Sequence, residues 1–347
     1  MAVRVLTVLA GAKVGGAEAF FVSLTVALKR AGLTVRSALK PNEARESTLA
    51  LAGIACDRIG FGQYFDFWSR RKLARIAKEF RPDIVLTFAG RASATMPKGK
   101  YALIGRLGGY YNLKNFSNCD YLVCNAPDLV RYCVEGGWPK DRVFHIPNFP
   151  NLEKGTAVGR ASLGTPENAK LALGLGRLHP NKAFDVLIRA AARVPDLWVW
   201  IAGEGSEREN LQKLARDMGV AARVKFLGWR TDRAGLFKAA DVCVYPSRAE
   251  PFGNVVIEAW GYGVPLVTAA SIGPAWLVRN GEDAILTPVD DVSALADGIR
   301  AVIASPPLAE KLVQNGRKRV AEEFSESAVI RGYIDLFEAV RPKAKRA

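Results

Sequence analysis

Short apolar runs alternate with amphipathic, helix-like stretches in two successive series along the 347-residue chain. The apolar runs of the first series cover residues 4–9, 35–39, 83–87, 121–124 and 143–146, and those of the second cover 170–175, 197–202, 224–227, 242–245 and 265–268. Buried strands separated by helices are typical of parallel sheets covered on both faces. The pattern predicts an α/β chain with two doubly wound, Rossmann-like domains that face each other across a cleft, with a ligand site at the carboxyl ends of the strands.

The segment between the two series has little periodicity and is rich in Pro, Asn, Gly and Thr. A chain of this length is expected to form two domains. We predict a first domain over residues 1–150, a linker over 151–168 and a second domain over 169–325. A C-terminal helix and basic tail over 326–347 can pack back on the first domain.

The formal net charge of +15 is concentrated in the first half, where residues 1–150 hold 22 Lys or Arg against 11 Asp or Glu. Such a field attracts anions, for example an acidic glycolipid or a membrane surface. Residues 61–72 also set aromatic side chains beside Arg70, Arg71 and Lys72, a composition that suits a membrane interface. We expect docking at the cytoplasmic membrane face; a solvated basic surface without a partner is the alternative.

Several classes of protein are disfavoured by composition. The five cysteines form no Cys-x-x-Cys pair, and neither histidine lies near them, so a zinc site or a disulfide framework is not expected, and the reducing cytoplasm is the expected compartment. The uncharged run 259–278 is broken by glycine and proline, which predicts a helix end, a strand and a turn instead of a transmembrane helix. No nucleic-acid-binding signature is present.

Two glutamates eight positions apart, Glu250 and Glu258, flank a Phe-Gly turn that follows an apolar run. Pro251 and Gly253 break the chain, and residues 254–260 then have a helical pattern. The free N–H groups at the start of such a helix attract anions, so a diphosphate can bind there. Glu250 and Glu258 would accept hydrogen bonds from sugar and ribose hydroxyls; an ordinary helix with a capping and a solvated glutamate is the alternative.

Two cations, Arg177 and Lys182, lie in the loop that follows the apolar run 171–175. A departing nucleoside diphosphate gains negative charge as the glycosidic bond breaks, so fixed cations stabilise the transition state more than the ground state. Two solvated surface cations are the alternative interpretation.

Three other turns also follow predicted strands. Gly15 and Gly16 precede the first helix, where backbone can approach a ligand closely. Gly203 ends another strand, and backbone groups around Trp229 and Arg230 can hold the edge of a base; an ordinary turn is the alternative for each. None of them is a Gly-x-Gly-x-x-Gly turn, so dinucleotide binding has little support.

Taken in order, these motifs resemble the family 4 retaining glycosyltransferases, which have the GT-B fold, in particular those of bacterial cell-envelope and lipopolysaccharide synthesis. The family pattern is Gly-Gly-x-Glu, Gly-Arg-Leu with a Lys five after the Arg, Gly-x-Gly, Phe-Leu-Gly, and Pro-Ser-x-x-Glu-x-Phe-Gly followed by a second Glu. The matching residues are Gly15, Gly16, Glu18, Gly176, Arg177, Lys182, Gly203, Gly205, Phe226, Gly228, Pro246, Ser247, Glu250, Phe252, Gly253 and Glu258.

The resemblance implies transfer of a hexose-type sugar, with retention, from a nucleoside-diphosphate sugar to a glycolipid or polysaccharide acceptor, without a cofactor or a metal. It implies that the domain over residues 1–150 binds the acceptor and that the domain over 169–325 binds the nucleotide sugar. It implies that Arg177 and Lys182 bind the diphosphate, Glu250 the transferred sugar and Glu258 the ribose. Arg177, Lys182 and Glu250 are the predicted catalytic residues. The predicted donor-binding residues are Gly15, Gly16, Gly203, Trp229, Arg230, Phe252, Gly253, Asn254, Val255 and Glu258.

Two departures from the family pattern concern the acceptor and the loop of Lys182. Many relatives have a histidine after the strand at 84–87, where this chain has Phe88, Ala89, Gly90 and Arg91. Arg91, Tyr110 and Lys114 are therefore the acceptor-side candidates, with a structural role as the alternative for each. Ala183 follows Lys182 in place of the frequent glycine.

Other functions are compatible with the same alternation of strands and helices. A sugar-nucleotide epimerase on the same fold is the main alternative, and detection of transfer to an acceptor would separate the two. An NAD-dependent oxidoreductase would need the dinucleotide fingerprint that is missing. A nucleic-acid-binding module would explain the positive charge and leave the donor-like loops unexplained.

Overall fold

The computed structural model describes residues 3–12, 15–62 and 66–342. The chain divides into two compact units. The first contains the described residues up to Asn148 together with those from Glu326 onward, and the second is Phe149–Ser325. Each unit has a β-sheet of its own.

The sheet of the first unit is parallel throughout its described strands. These strands are β1 (Arg4–Leu9), β2 (Thr34–Leu39), β3 (Ala55–Arg58), β4 (Ile84–Phe88), β5 (Ala102–Leu107), β6 (Tyr121–Cys124) and β7 (Val143–His145). Their order is β3-β2-β1-β4-β5-β6-β7, so the direction of winding reverses between β1 and β4. The carboxyl ends of these two strands mark the switch point at which such sheets bind ligands.

Helices connect the strands of the first unit. They are α1 (Gly16–Arg30), α2 (Glu43–Leu51), α3 (Phe67–Phe80), α4 (Ala89–Thr95) and α5 (Pro127–Glu135). Asp66 caps α3 by accepting a hydrogen bond from the Ser69 backbone N–H at 3.0 Å. Leu73 and Ile76 of α3 are buried, so this face of the helix packs in the core of the first unit.

The second unit repeats this plan. Its strands are β8 (Lys170–Leu175), β9 (Leu197–Ala202), β10 (Val224–Gly228), β11 (Val242–Tyr245), β12 (Leu266–Ala269) and β13 (Ile285–Thr287), in the order β10-β9-β8-β11-β12-β13. Its helices are α6 (Phe184–Ala192), α7 (Arg208–Asp217), α8 (Arg233–Ala239), α9 (Asn254–Tyr262), α10 (Ile272–Leu277), α11 (Val292–Ala304) and α12 (Pro306–Glu323). The described strands are again parallel, with the switch between β8 and β11. The predicted fold class, with two doubly wound Rossmann-like α/β domains, is confirmed.

Residues 259–278 form the interrupted structure that the glycines and prolines predict. Helix α9 ends at Tyr262, β12 follows, and α10 is a short helix. Across the described ranges, every helix is too short or too polar to cross a bilayer.

The segment predicted as a linker packs closely on the second unit. Arg160 donates to the backbone oxygens of Ala169 and Ala239, each at 2.6 Å, and forms an ion pair with Asp241 at 3.1 Å. The buried indole of Trp200 donates to the Thr165 hydroxyl at 2.8 Å. These contacts bind the beginning of the second unit to its own sheet and helices.

The last described helix, α13 (Glu326–Val340), returns to the first unit. Its buried Tyr333 hydroxyl accepts a hydrogen bond at 3.2 Å from the guanidinium of Arg106, whose side chain is only 2% exposed. Arg106 lies over the ring of Phe20 on α1 at 4.4 Å, a cation–π distance. The hydrogen bond and this ring contact join α13, the last described helix, to α1.

Several elements of the first unit were not predicted from the sequence. The short edge strand β3 has intermediate or exposed residues throughout, and α2 buries only Leu49, so neither has a strong apolar pattern. Strand β5 contains Gly105 and Arg106, which are unusual in a buried strand. A Cβ at Gly105 would lie 2.6 Å from the Phe116 ring, so close packing excludes a side chain there.

Candidate functional site

Three loops at the carboxyl edge of the second sheet are joined by backbone hydrogen bonds. Gly176 N–H, after β8, donates to Ala202 at 3.1 Å, and Gly203 N–H, after β9, donates to Gly228 at 2.8 Å. A Cβ at Gly203 would lie 1.8 Å from the Gly176 carbonyl oxygen. The glycines of the sequence motifs therefore allow these loops to touch backbone to backbone.

Lys182 lies at the end of a short 3-10 turn, Pro180–Lys182, that follows the first of these loops. Its ammonium group donates to the Tyr245 hydroxyl at 3.0 Å and forms an ion pair with Glu250. The Tyr245 hydroxyl in turn donates to the same Glu250 oxygen at 2.5 Å. Two predicted catalytic residues, 68 positions apart in sequence, are thus in direct contact.

Tyr245, at the end of β11, is a site residue that the sequence analysis missed. Burial, followed by the charge of Glu250, raises the pKa of the Tyr245 phenol well above its usual value. The phenol therefore stays protonated and can serve as a hydrogen-bond donor to the carboxylate. Nothing in the strand-like run distinguishes this tyrosine from an ordinary core residue.

Arg177 differs from Lys182 in having an exposed side chain. Within the described part of the chain it has neither an ion pair nor a hydrogen bond from its guanidinium. A guanidinium in this state can bind a phosphate through its planar fork without first breaking an internal contact. The loop after β8 thus carries one free cation and one cation paired with a carboxylate.

Glu258 lies on α9 and forms an ion pair with Arg233 at the start of α8. Burial raises the pKa of its carboxyl group above the usual value, and the charge of Arg233 opposes that shift. About 16% of the Glu258 side chain is exposed. Arg233 was missed because its partner lies 25 residues further along the chain.

Helix α9 begins where the sequence predicts, after Gly253 in the left-handed conformation (φ 105°). The N-cap residue, Gly253, has no side chain that could cap this helix start, and the first N–H groups of a helix have no partner within the helix itself. The side chains of Phe252 and Val255, both predicted to bind the donor, are buried at 2% and 7% exposure. Both side chains pack in the protein core, so at these two positions it is the backbone that can contact a ligand. The side chain of Asn254, which lies between them, is half-buried.

Trp229 and Arg230 follow the end of β10. The Trp229 indole is 60% exposed. The Arg230 guanidinium is held by Asp232 through hydrogen bonds of 2.8 Å and 2.5 Å. An exposed indole beside a fixed loop offers a stacking surface for a base.

Gly15 and Gly16 lie in the first unit, at the start of α1. Glu18 supports their loop, because its carboxylate accepts a hydrogen bond from the Ala12 N–H at 2.8 Å. A Cβ at Gly15 would come within 2.3 Å of the same carboxylate. The glycine and the glutamate of the Gly-Gly-x-Glu motif are therefore packed against each other, and their contact with a donor stays a prediction.

The acceptor-side candidates are spread over separate elements of the first unit. Arg91 is on α4, exposed Lys114 is on a 3-10 turn, and Tyr110 donates a hydrogen bond to Asp128 on α5. Burial and Asp128 raise the pKa of Tyr110 to about 12. The contact of Gly90 with Asn115 places the elements of Arg91 and Lys114 side by side. The Tyr110 hydroxyl is instead engaged by its own partner, Asp128.

The described residues contain no cluster of three or more His, Cys, Asp or Glu side chains that could hold a metal ion. Asp290 and Asp291 are an adjacent acidic pair, but they have separate partners. Asp290 forms an ion pair with Arg248. Asp291 instead caps α11 by accepting from the Ala294 N–H at 2.9 Å.

Comparison with known proteins defines the family. Residues 157–319 match the model of the glycosyl transferases group 1. The lipopolysaccharide core biosynthesis glycosyltransferases LpsE and LpsD of Rhizobium meliloti are 35% and 36% identical to the chain. The LpsE match covers 93% of this chain and 96% of LpsE, and the LpsD match covers 96% and 97%. The chain belongs to the group 1 glycosyltransferases, which confirms the family resemblance.

Solved structures agree with this assignment at the level of the fold. The crystal structure of Anabaena HepE in complex with UDP and glucose matches with a TM-score of 0.84 at 21% identity. That match covers 97% of this chain and 100% of HepE. The enzyme class predicted from the sequence, a glycosyltransferase, is confirmed by the family.

Proposed function

We propose that this enzyme transfers a hexose from a nucleoside-diphosphate sugar to a lipopolysaccharide-core glycolipid, with retention of configuration. The observation that carries the proposal is the contact of Lys182 with Glu250, in a chain that matches two lipopolysaccharide core enzymes over nearly its whole length. Lys182 is suited to bind a diphosphate, and Glu250 is suited to bind sugar hydroxyls. Because the two side chains are in contact, the binding sites for the diphosphate and the sugar would be adjacent.

The donor class follows from the charges at the edge of the second sheet. Arg177 and Lys182 supply cationic groups, and the start of α9 adds N–H groups that favour an anion. HepE, which shares the fold, was crystallised with UDP and with UDP-glucose. A nucleoside diphosphate bound here would place its base near Trp229 and its ribose near Glu258.

The chemical step needs no protein nucleophile in this proposal. The bond from the anomeric carbon to the diphosphate oxygen breaks, and the acceptor oxygen bonds to the same face of the sugar. The acceptor proton passes to the departing phosphate, which balances the step. Arg177 and Lys182 stabilise the charge that develops on that phosphate, and Glu250 orients the sugar through its hydroxyls.

The acceptor is proposed to meet the first unit at the cytoplasmic face of the membrane. At the start of α3, Phe67 and Trp68 are 61% and 78% exposed, and Arg70, Arg71 and Lys72 follow them on the exposed surface. Exposed aromatic rings beside cations suit the headgroup region of an anionic bilayer. This surface would hold the enzyme where a lipid-linked acceptor is presented.

A transfer assay tests the proposal. Thermal stabilisation by UDP-, GDP- and ADP-hexoses would identify the donor, because a ligand that binds the folded state stabilises it by RT ln(1 + [L]/Kd). The chosen donor is then incubated with truncated core glycolipids, and the anomeric configuration of the product is read by NMR. An α-linked donor that yields an α-linked product supports retention. Interconversion of the donor without transfer would favour the epimerase.

The same assay with excess EDTA tests metal independence. We expect activity within about twofold of the untreated enzyme, because cationic side chains and helix N–H groups take the place of a divalent ion at the diphosphate. Loss on chelation that Mg²⁺ or Mn²⁺ restores would contradict this part of the proposal.

A further inference from the structure

Arg248 lies in the loop between β11 and α9, two residues before Glu250, and no motif singles it out. Its side chain is 29% exposed and contacts the turn that carries Lys182. The two loops that supply the Lys182–Glu250 pair thus share this arginine. Its contacts fall into two groups, one to the backbone and one to carboxylates.

The backbone contacts hold the 3-10 turn of Lys182. The Arg248 guanidinium donates to the Pro180 carbonyl at 2.7 Å, and the Arg248 backbone N–H donates to the Asn181 carbonyl at 2.8 Å. Both carbonyls directly precede Lys182 in the chain. The turn is therefore bound to the Glu250 loop by main-chain groups as well as by the Lys182 side chain.

The carboxylate contacts fix the arginine itself. Asp185, in the first turn of α6, accepts two parallel hydrogen bonds from the guanidinium at 2.9 Å and 2.7 Å. Asp290 accepts a third, from Nε, at 2.6 Å. This fork geometry is available to arginine and not to lysine.

The strained residue next to Lys182 makes this support more important. Ala183 adopts the left-handed conformation with φ 53°, which is unfavourable for a residue with a Cβ. Such a conformation persists only where surrounding contacts impose it. Arg248 holds the chain on both sides of Ala183, through Pro180 and Asn181 before it and Asp185 after it.

We propose that Arg248 is a positioning residue that sets the separation between the Lys182 ammonium and the Glu250 carboxylate. The inference rests on the proposed function, in which these two groups bind the diphosphate and the sugar. Displacement of either group by about 1 Å can reduce turnover by about 100-fold. Arg248 touches neither ligand in this scheme and acts through the Lys182 turn.

The test compares Arg248→Gln and Arg248→Lys with the matched control Arg300→Gln. Arg300 also bridges a carbonyl, that of Arg193, and a carboxylate, that of Asp297, and it supports the opposite end of α6. We expect kcat/KM to fall roughly 10- to 100-fold for Arg248→Gln, with little rescue by lysine. Arg300→Gln should stay within about twofold of wild type.

A cycle with Lys182→Ala separates positioning from general destabilisation. The four proteins of the cycle are the wild type, Arg248→Gln, Lys182→Ala and the double variant. Turnover is measured for each, together with the affinity for the nucleoside diphosphate of the active donor, with UDP tested first. If Arg248 acts through Lys182, then Arg248→Gln should change neither quantity by more than about threefold in the Lys182→Ala background. Asp185→Asn, which removes the fork and keeps the bond to Pro180, should reproduce the effect if Arg248→Gln fails to fold.

The outcomes distinguish the two proposals. Wild-type turnover in Lys182→Ala would overturn the proposed donor site and, with it, this inference. An inactive Lys182→Ala beside a fully active Arg248→Gln would overturn the inference alone. The inference would also be overturned if the losses of the two single variants multiplied in the double variant. Full activity of Arg248→Lys would overturn it too, since a positive charge without the planar fork would then be sufficient.

Discussion

The carboxyl edges of the two sheets are built differently, although the six strands of the second sheet follow the same order as the first six strands of the first sheet. In the second unit, the loops after β8, β9 and β10 touch through backbone groups, with Gly203 at the closest contact. In the first unit, Arg91, Tyr110 and Lys114 lie on separate elements, and Tyr110 is held by a local partner. The glycine motifs of the second unit therefore coincide with backbone contacts between its loops, whereas the acceptor-side candidates of the first unit stay predictions.

The largest effect that would separate the two units is expected at the Lys182–Glu250 pair of the second unit. We expect Lys182→Ala and Glu250→Gln each to reduce turnover by at least about 100-fold, the scale of losing one strong transition-state contact. Nucleoside diphosphate binding should weaken in Lys182→Ala and survive in Glu250→Gln. Steady-state kinetics and calorimetric titration measure the two effects.

Lys213→Ala is the matched control for this pair, because Lys213 is also paired with a carboxylate, that of Asp217, on the exposed face of α7. It should retain wild-type turnover. Near-normal transfer by both site variants would sink the assignment of chemistry to the second unit.

The basic surface of the first unit is tested next. Replacing Arg70, Arg71 and Lys72 together by alanine should weaken binding to anionic vesicles by roughly two orders of magnitude at low salt, since each cation contributes about 1 kcal/mol near anionic lipid. Vesicle sedimentation measures the effect, and donor binding should not change.

A control triple variant removes three exposed lysines of the second unit, Lys213, Lys311 and Lys318. It should bind vesicles like the wild type. Equal losses in both triple variants would mean that net charge alone decides binding, and a wild type that ignores anionic vesicles would favour a soluble acceptor.

The smallest expected effect concerns the backbone contact that distinguishes the second unit. Gly203→Ala should lower the free energy of unfolding by about 1–3 kcal/mol, because its Cβ would collide with the Gly176 carbonyl. Denaturant unfolding measures this, and donor affinity should fall as the loops separate. Gly159→Ala, where a Cβ would meet nothing within 4 Å, is the neutral control; equal stability of both variants would refute a need for close backbone approach.

The sequence by itself determined the class of fold and most strands of the second unit. Strands β8, β9 and β11 have the bounds that their apolar runs predict, because buried parallel strands need continuous apolar residues. It also determined that Lys182 and Glu250 lie on loops at strand ends, since the period of the pattern changes there. The weakly patterned elements α2 and β3 were missed because few of their side chains are buried.

Only the tertiary structure decided which side chains meet. The contacts of Arg248 with Asp185, of Arg233 with Glu258 and of Arg106 with Tyr333 join residues far apart in the chain. It also showed that Phe252 and Val255 face the core, although they lie within the donor motif. A hydrogen bond between distant residues depends on how loops and helices pack against a sheet. The local periodicity of the sequence does not depend on that packing, so it could not predict which residues would become hydrogen-bond partners.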